Sequence, residues 1–129
     1  MAVVPIVHIG DTLVVAVQEE LRDREALQLQ EALGDALVRS GARGVLLDIS
    51  VVETIDSFLG RLLHDIAAAS RLLGAETVVV GMQPAVAITL VELGLELAGV
   101  RTALTPEKGL ALLRQLLARD DGPGRPRGR

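Results

Sequence analysis

The chain has 129 residues, 50% hydrophobic and 23% charged, with a net charge of −4 and no cysteine. That composition describes one ordered domain able to bury roughly two-thirds of its unfolded surface, and excludes a disordered chain. Phe58 is the sole aromatic residue, so there is neither a stacking platform nor a basic footprint for nucleic acid, and without cysteine there is no disulfide, thiolate nucleophile or cysteine metal site.

No uninterrupted apolar run approaches the roughly 20 residues of a spanning helix, and the N-terminus lacks a charged stretch followed by an apolar export core. The expectation is a soluble, cytoplasmic protein without a membrane partner. Val3 to Ile9 and Thr12 to Val17 are β-branched-rich runs separated by Gly10-Asp11, a two-residue loop suited to a tight hairpin. Asp23 is then a good N-cap, and Leu29, Leu33, Ala36 and Leu37 recur at helical spacing until Ser40-Gly41 stops the run. Gln28, Glu31, Asp35 and Arg39 mark the solvated side of this first helix.

Gly44 to Ile49 is continuously apolar except for Asp48, the pattern of a strand covered on both faces. After a polar break around Ser50, Glu53 and Thr54 come Asp56 and Ser57. Phe58, Leu59, Leu62, Leu63, Ile66, Ala69 and Leu73 then predict a second helix of about four turns or more, ending at Gly74. Thr77 to Val80 is another apolar strand, closed by Gly81, and Gln83-Pro84 opens a third helix that runs to Gly94. Its polar strip is limited to Thr89, Glu92 and Glu96, so it is either buried nearly all round or turned toward a partner. Val100 to Ala103 reads as a short edge strand, and Thr105 caps a last helix with Leu110, Leu113, Leu116 and Leu117 inward. Residues 120–129 carry Gly, Pro and Arg without apolar content and are expected to form a disordered tail, leaving 1–119 as the domain.

Strands alternating with helices imply an α/β fold: one mixed, mostly parallel sheet opened by an antiparallel hairpin and packed with about four helices. The functional crevice of such a sheet lies beyond the carboxyl ends of its parallel strands, which is where Asp48, Ser50, Met82 and Gln83 fall.

Ser57 has two compatible readings. As a hydroxyl at a helix start it can be an ordinary cap. It can also accept a phosphoryl group, whose added charge of about −1.5 to −2 would meet the positive helix end while Asp56 repels it. His8 and His64 have no motif linking them to Ser57, and the Gly-x-Ser-x-Gly elbow of hydrolases is absent. Neither Gly-x-Gly-x-x-Gly nor a phosphate-loop Gly-Lys-Ser/Thr occurs, which weighs against a nucleotide-binding domain using the crevice near Ser50, Ser57 and Gln83. Gly41, Gly74 and Gly94 read as left-handed helix caps, Phe58 as core with an exposed anchor as its rival, and the acidic pairs Glu19-Glu20 and Asp120-Asp121 lack further metal ligands. No cofactor is expected.

The Ile55-Asp56-Ser57-Phe58 turn and the run Gly81-Met82-Gln83-Pro84-Ala85-Val86-Ala87-Ile88-Thr89-Leu90-Val91-Glu92-Leu93-Gly94, in this order of elements, resemble the STAS domain family, and closely its RsbS branch from bacterial stressosomes. The similarity covers about residues 5 to 117. It implies a non-enzymatic scaffold and antagonist that assembles with RsbR-type STAS proteins and holds an RsbT-type serine/threonine kinase. The same resemblance implies phosphorylation at Ser57 with release of the kinase, reset by an RsbX-type phosphatase. Asp56, Phe58 and Gln83 are then expected to shape the acceptor or dock the kinase, and a homo-oligomer, a dimer, is expected. Phe58-Leu59 stand where the anti-anti-sigma branch typically has a small residue and glycine. That favours the stressosome branch over an anti-anti-sigma factor binding an anti-sigma kinase directly. The arginine-rich tail matches nothing in the family.

Overall fold

Two five-residue apolar runs form the centre of the molecule in the computed structural model, which describes residues 4–18, 20–95, 97 and 99–120. They are β3 (Gly44–Asp48) and β4 (Glu76–Val80), paired in parallel with Val45 beside Thr77 and Leu47 beside Val79. β2 (Thr12–Ala16) lies parallel to β3 on one side, and β5 (Arg101–Ala103) lies parallel to β4 on the other. β1 (Ile6–Ile9) pairs antiparallel with β2 through the Gly10-Asp11 turn, where Gly10 takes φ +58. The spatial order is therefore β1-β2-β3-β4-β5, the mixed and mostly parallel sheet that the alternation predicts. Helices α1 (Asp23–Ser40), α2 (Ser57–Leu72), α3 (Pro84–Glu92) and α4 (Pro106–Asp120) complete the chain.

Alternation along the strands sends side chains to two separate cores. Leu13, Val15, Val45, Leu47 and Val79 face α1, α2 and α3, and are covered by Leu29, Leu33 and Leu37, by Leu59, Leu62, Leu63 and Ile66, and by Val86 and Leu90. Leu46, Val78 and Val80 face the other way, against Leu113 of α4. Covering both faces of β3 and β4 is what their unbroken apolar sequence requires. Backbone bonds from the Arg43 and Gly44 N–H groups to the Asp11 carbonyl, 2.9 and 3.0 Å, fasten the start of β3 to the hairpin turn.

Several elements differ from the sequence reading in ways that packing explains. Asp23 is the first helical residue of α1 and Arg22 occupies the cap, because the Glu25 carboxylate accepts from the Arg22 N–H at 3.0 Å and moves the boundary back by one. In α2 the buried stripe is Leu59, Leu62, Leu63, Ile66 and Ser70, so Phe58, Ala69 and Leu73 lie off it and are exposed. α3 buries only Val86 and Leu90, leaving Ile88 60% and Val91 80% exposed, so it is not the nearly all-buried helix that its composition allows. In α4 Leu113 is the leucine that is fully buried, with Leu110, Leu116 and Leu117 half-buried. β5 begins at Arg101 rather than Val100, and α4 continues through Asp120, one residue into the expected tail. Val3, Glu19, Glu96 and the tail from 121 to 129 lie outside the described residues. Gly41, Gly74 and Gly94 take positive φ after α1, α2 and α3, as expected of helix ends.

Leu63 is 1% exposed at the contact of α2 with the sheet, whereas Leu72 on the same helix is 88% exposed. Leu63→Ala should lower the unfolding free energy by about 2–5 kcal/mol in urea titration, and Leu72→Ala should stay within about 0.5 kcal/mol. Equal losses would contradict the assigned face of α2.

Candidate functional site

At the carboxyl end of β3 the chain must turn away from the sheet, and Asp48 organises that turn. Its Oδ1 accepts from the Ser50 N–H at 3.0 Å and from the Ser50 hydroxyl at 2.7 Å. The loop following β4 is pressed against this turn. Gly81 takes φ +76, and a Cβ added there would lie 2.6 Å from Ser50 Cβ and 2.9 Å from Ser50 Cα. Gln83 then donates through Nε2 to the Ser50 carbonyl at 3.0 Å, and Val52 and Ile55 are buried beneath the loop that leads to α2.

That loop delivers Asp56 in an extended conformation, φ −112 and ψ 179, as the N-cap of α2. The Asp56 Oδ1 accepts from the Leu59 N–H at 2.9 Å. Ser57 is the first helical residue and is exposed, and among the described residues its hydroxyl has no hydrogen-bond partner. The capping role that the sequence allowed to Ser57 is therefore carried by Asp56. Asp56 caps from a non-helical backbone conformation while its carbonyl accepts the Gly60 N–H at 3.0 Å, and the next hydroxyl is left unengaged.

Ser57 and Gly60 are three residues apart and share one side of α2. Gly60 is buried, and a Cβ added to it would lie 2.6 Å from Leu95 Cδ1 and 3.1 Å from Leu90 Cδ2. Leu90 and Leu95 also line an apolar groove with Met82, Ala87, Val91, Gly94 and Leu97. The groove thus begins one helical turn from the Ser57 position. Phe58, 39% exposed, is next to Ser57 in the first turn rather than in the core.

Of the residues that the sequence singled out, Asp56, Ser57 and Phe58 form the start of α2, and Gln83 is tied to the loop before them at Ser50, not to Asp56 or Ser57 directly. The Ser50 hydroxyl is engaged with Asp48 and the Gln83 Nε2 with the Ser50 carbonyl, and the Asp48 carboxylate would oppose a phosphate there. His8 is exposed on β1, and His64, exposed on α2 at 3.3 Å from Asp65, is seven residues or about 10 Å along the helix from Ser57. No group of three His, Asp or Glu side chains among the described residues could hold a metal ion. No helix among them is long and apolar enough to cross a membrane. Gly60 was not singled out from the sequence. Its signal was a glycine inside an otherwise helical apolar pattern, which costs about 1 kcal/mol relative to alanine and calls for a packing reason.

The STAS domain model matches residues 4–107, and the chain belongs to the STAS domain family. Within that family it is similar to RsbS. A serine-to-glutamate variant of RsbS from Moorella thermoacetica superposes with a TM-score of 0.79 at 42% identity, covering 89% of this chain and 97% of that one. A chain from the solved stressosome, described as a signal integration and transduction hub, gives 0.79 and 42%, covering 88% and 98%. The RsbT co-antagonist protein RsbRA of Bacillus subtilis strain 168 is 33% identical over 85 residues, 66% of this chain and 31% of that protein. This chain spans a quarter to a third of the length of the curated relatives it matches.

The division between cap and free hydroxyl has a thermodynamic signature. Asp56→Ala should cost about 0.5–2 kcal/mol through loss of the cap, while Ser57→Ala should change stability by less than about 0.5 kcal/mol, both read from urea unfolding. The reverse order would mean that Ser57 caps α2. Gly81→Ala should exceed both, since a left-handed φ alone costs about 1–2 kcal/mol and the Ser50 backbone blocks the added methyl.

Proposed function

We propose that this chain is a non-enzymatic stressosome scaffold and antagonist that holds a serine/threonine switch kinase and releases it when Ser57 is phosphorylated. The observation that carries the reading is the exposed, unbonded Ser57 hydroxyl at the start of α2, beside a carboxylate that already holds the cap. Similarity to RsbS over nearly the whole chain supports it, as does the name of the curated relative RsbRA, a co-antagonist of RsbT. RsbR-type STAS proteins are the proposed partners in a large cytoplasmic assembly, and an RsbX-type phosphatase is the proposed means of reset.

The chain's own part in phosphorylation is to present an acceptor. The Ser57 oxygen attacks the γ-phosphorus of ATP, the bond to ADP breaks, and the hydroxyl proton leaves to a base on the kinase. The product adds about −1.5 to −2 charges at pH 7. Because Asp56 already occupies the Leu59 N–H, the phosphate does not displace the cap, and repulsion from Asp56 directs it outward. A kinase seated on Phe58 and the groove lined by Leu90, Val91 and Leu95 would then have to desolvate a dianion at its margin. A loss of 1.4 kcal/mol weakens binding tenfold, so a desolvation cost of a few kcal/mol is enough for release.

Incubation with an RsbT-type kinase and ATP, followed by mass spectrometry, should place one phosphate on Ser57 and none on Ser57→Ala. Ser57→Glu should bind the kinase at least about tenfold more weakly with its melting temperature nearly unchanged. Labelling of Ser57→Ala as strong as that of the wild type would overturn the assignment.

A further inference from the structure

β5 pairs with β4 only from Val78 onward, so Glu76 and Thr77, the first residues of β4, have no partner residue on that side. A pocket of about 310 Å³ lies there, bounded by these two residues, by the second half of α2 and by Gly99 and Val100. His64, Ala67, Ala68 and Arg71 line it from α2, at a spacing that puts them on one face of the helix. The two alanines leave room between the imidazole and the guanidinium.

Two side chains of this pocket lack the partners that their chemistry calls for. Thr77 is 4% exposed, and its Oγ1 is buried with no hydrogen-bond partner. No other buried side-chain nitrogen or oxygen among the described residues is in that condition, and leaving a buried hydroxyl unpaired is destabilising. Rotation about χ1 exchanges the positions of Oγ1 and the methyl group, so an acceptor in the pocket can draw the hydroxyl to the wall. Arg71 forms no ion pair or side-chain hydrogen bond among the described residues. Its guanidinium is nevertheless held in place: Gly99 takes φ +77, and a Cβ added there would collide with Arg71 Nη1 and lie 3.1 Å from its Cζ.

The neighbouring charges favour an anion. Glu76 borders the pocket, but alternation along β4 turns its carboxylate to the α4 face with Val78 and Val80. The Asp65 carboxylate is engaged at His64 Nδ1, 3.3 Å away, which leaves Nε2 for the pocket. The Gly81 N–H reaches the Ala103 carbonyl, and the same alternation turns the Thr77 N–H to the β5 side. One guanidinium in a chain of net charge −4 suits a single negative charge better than a polyphosphate, and its planar fork matches a carboxylate. The volume is at the lower end of small-ligand sites, and Ala67, Ala68 and Val100 offer apolar wall for a short carbon chain.

We infer that this pocket binds a small aliphatic carboxylate, with its head on Arg71 and the Thr77 hydroxyl and its chain along the α2 alanines. Arg71 is fourteen residues from Ser57, about 21 Å along α2, so the site does not depend on the phosphorylation reading.

Titration of the full chain with sodium butanoate at constant ionic strength, followed by NMR, tests the assignment. The amides of Ala67, Thr77 and Gly99 should shift saturably, with a dissociation constant of about 1 mM or tighter. Arg71→Gln should weaken binding at least about tenfold with its melting temperature preserved. Thr77→Val, similar in shape, should also weaken binding, and should raise the melting temperature of the free protein because it removes an unpaired hydroxyl. Absence of saturable shifts, equal shifts from butylammonium or inorganic phosphate, or unchanged affinity in Arg71→Gln or Thr77→Val would each overturn the site.

Discussion

The contact of Gly81 with Ser50 is the constraint on which the functional end of this domain rests. Only a residue without a side chain and with access to positive φ can bring the β4–α3 loop onto the backbone of the β3–α2 loop. Once the two loops touch, the Gln83 amide reaches the Ser50 carbonyl, and Asp48 holds the same residue from below. Buried Val52 and Ile55 then fix the path to α2, so Asp56 arrives in the extended conformation that a cap requires. Ser57 owes its position to this series of contacts and contributes nothing visible to it. A residue with no structural task is free to be modified.

The sheet and helix order were legible because the signals were strong and local. Gly44 to Ile49 and Thr77 to Val80 are too apolar to be covered on one face only, and Gly10-Asp11, Gly41, Gly81 and Pro84 punctuate the chain at turns and helix ends. What could not be read was which side of a helix is covered. Phe58 fits a helical apolar pattern, but the residue one step on, Leu59, is the one that faces the sheet. α3 is apolar enough to be surrounded, yet it lies at the end of the sheet, where only Val86 and Leu90 meet the core. Neighbouring Asp56 and Ser57 are equally good caps by preference, and only the backbone at the end of the loop decides between them. For Ser57 the residues alone left cap and acceptor both open, and the family resemblance supplied the phosphate.

Gly60 links the proposed acceptor to its surroundings. Lacking a side chain, it allows Leu90 and Leu95 to rest against α2 one turn from Ser57, so a charge at Ser57 is set beside apolar surface rather than isolated in solvent. That juxtaposition is what a charge-operated docking surface needs: contact area whose cost of burial changes sharply on modification, in a fold that does not have to rearrange.

The central claim is that phosphate on Ser57 changes the surface while the Asp56 cap stays in place. Amide hydrogen exchange of Leu59, followed by NMR in the free and Ser57-phosphorylated protein, reads this most directly, since the Leu59 N–H is the donor held by Asp56. Unchanged protection of Leu59, with chemical-shift changes confined to the first turn of α2 and the groove by Leu90 and Leu95, is the expected result. Loss of Leu59 protection, or shift changes spreading through β3 and β4, would show that the phosphate acts by dismantling the helix start.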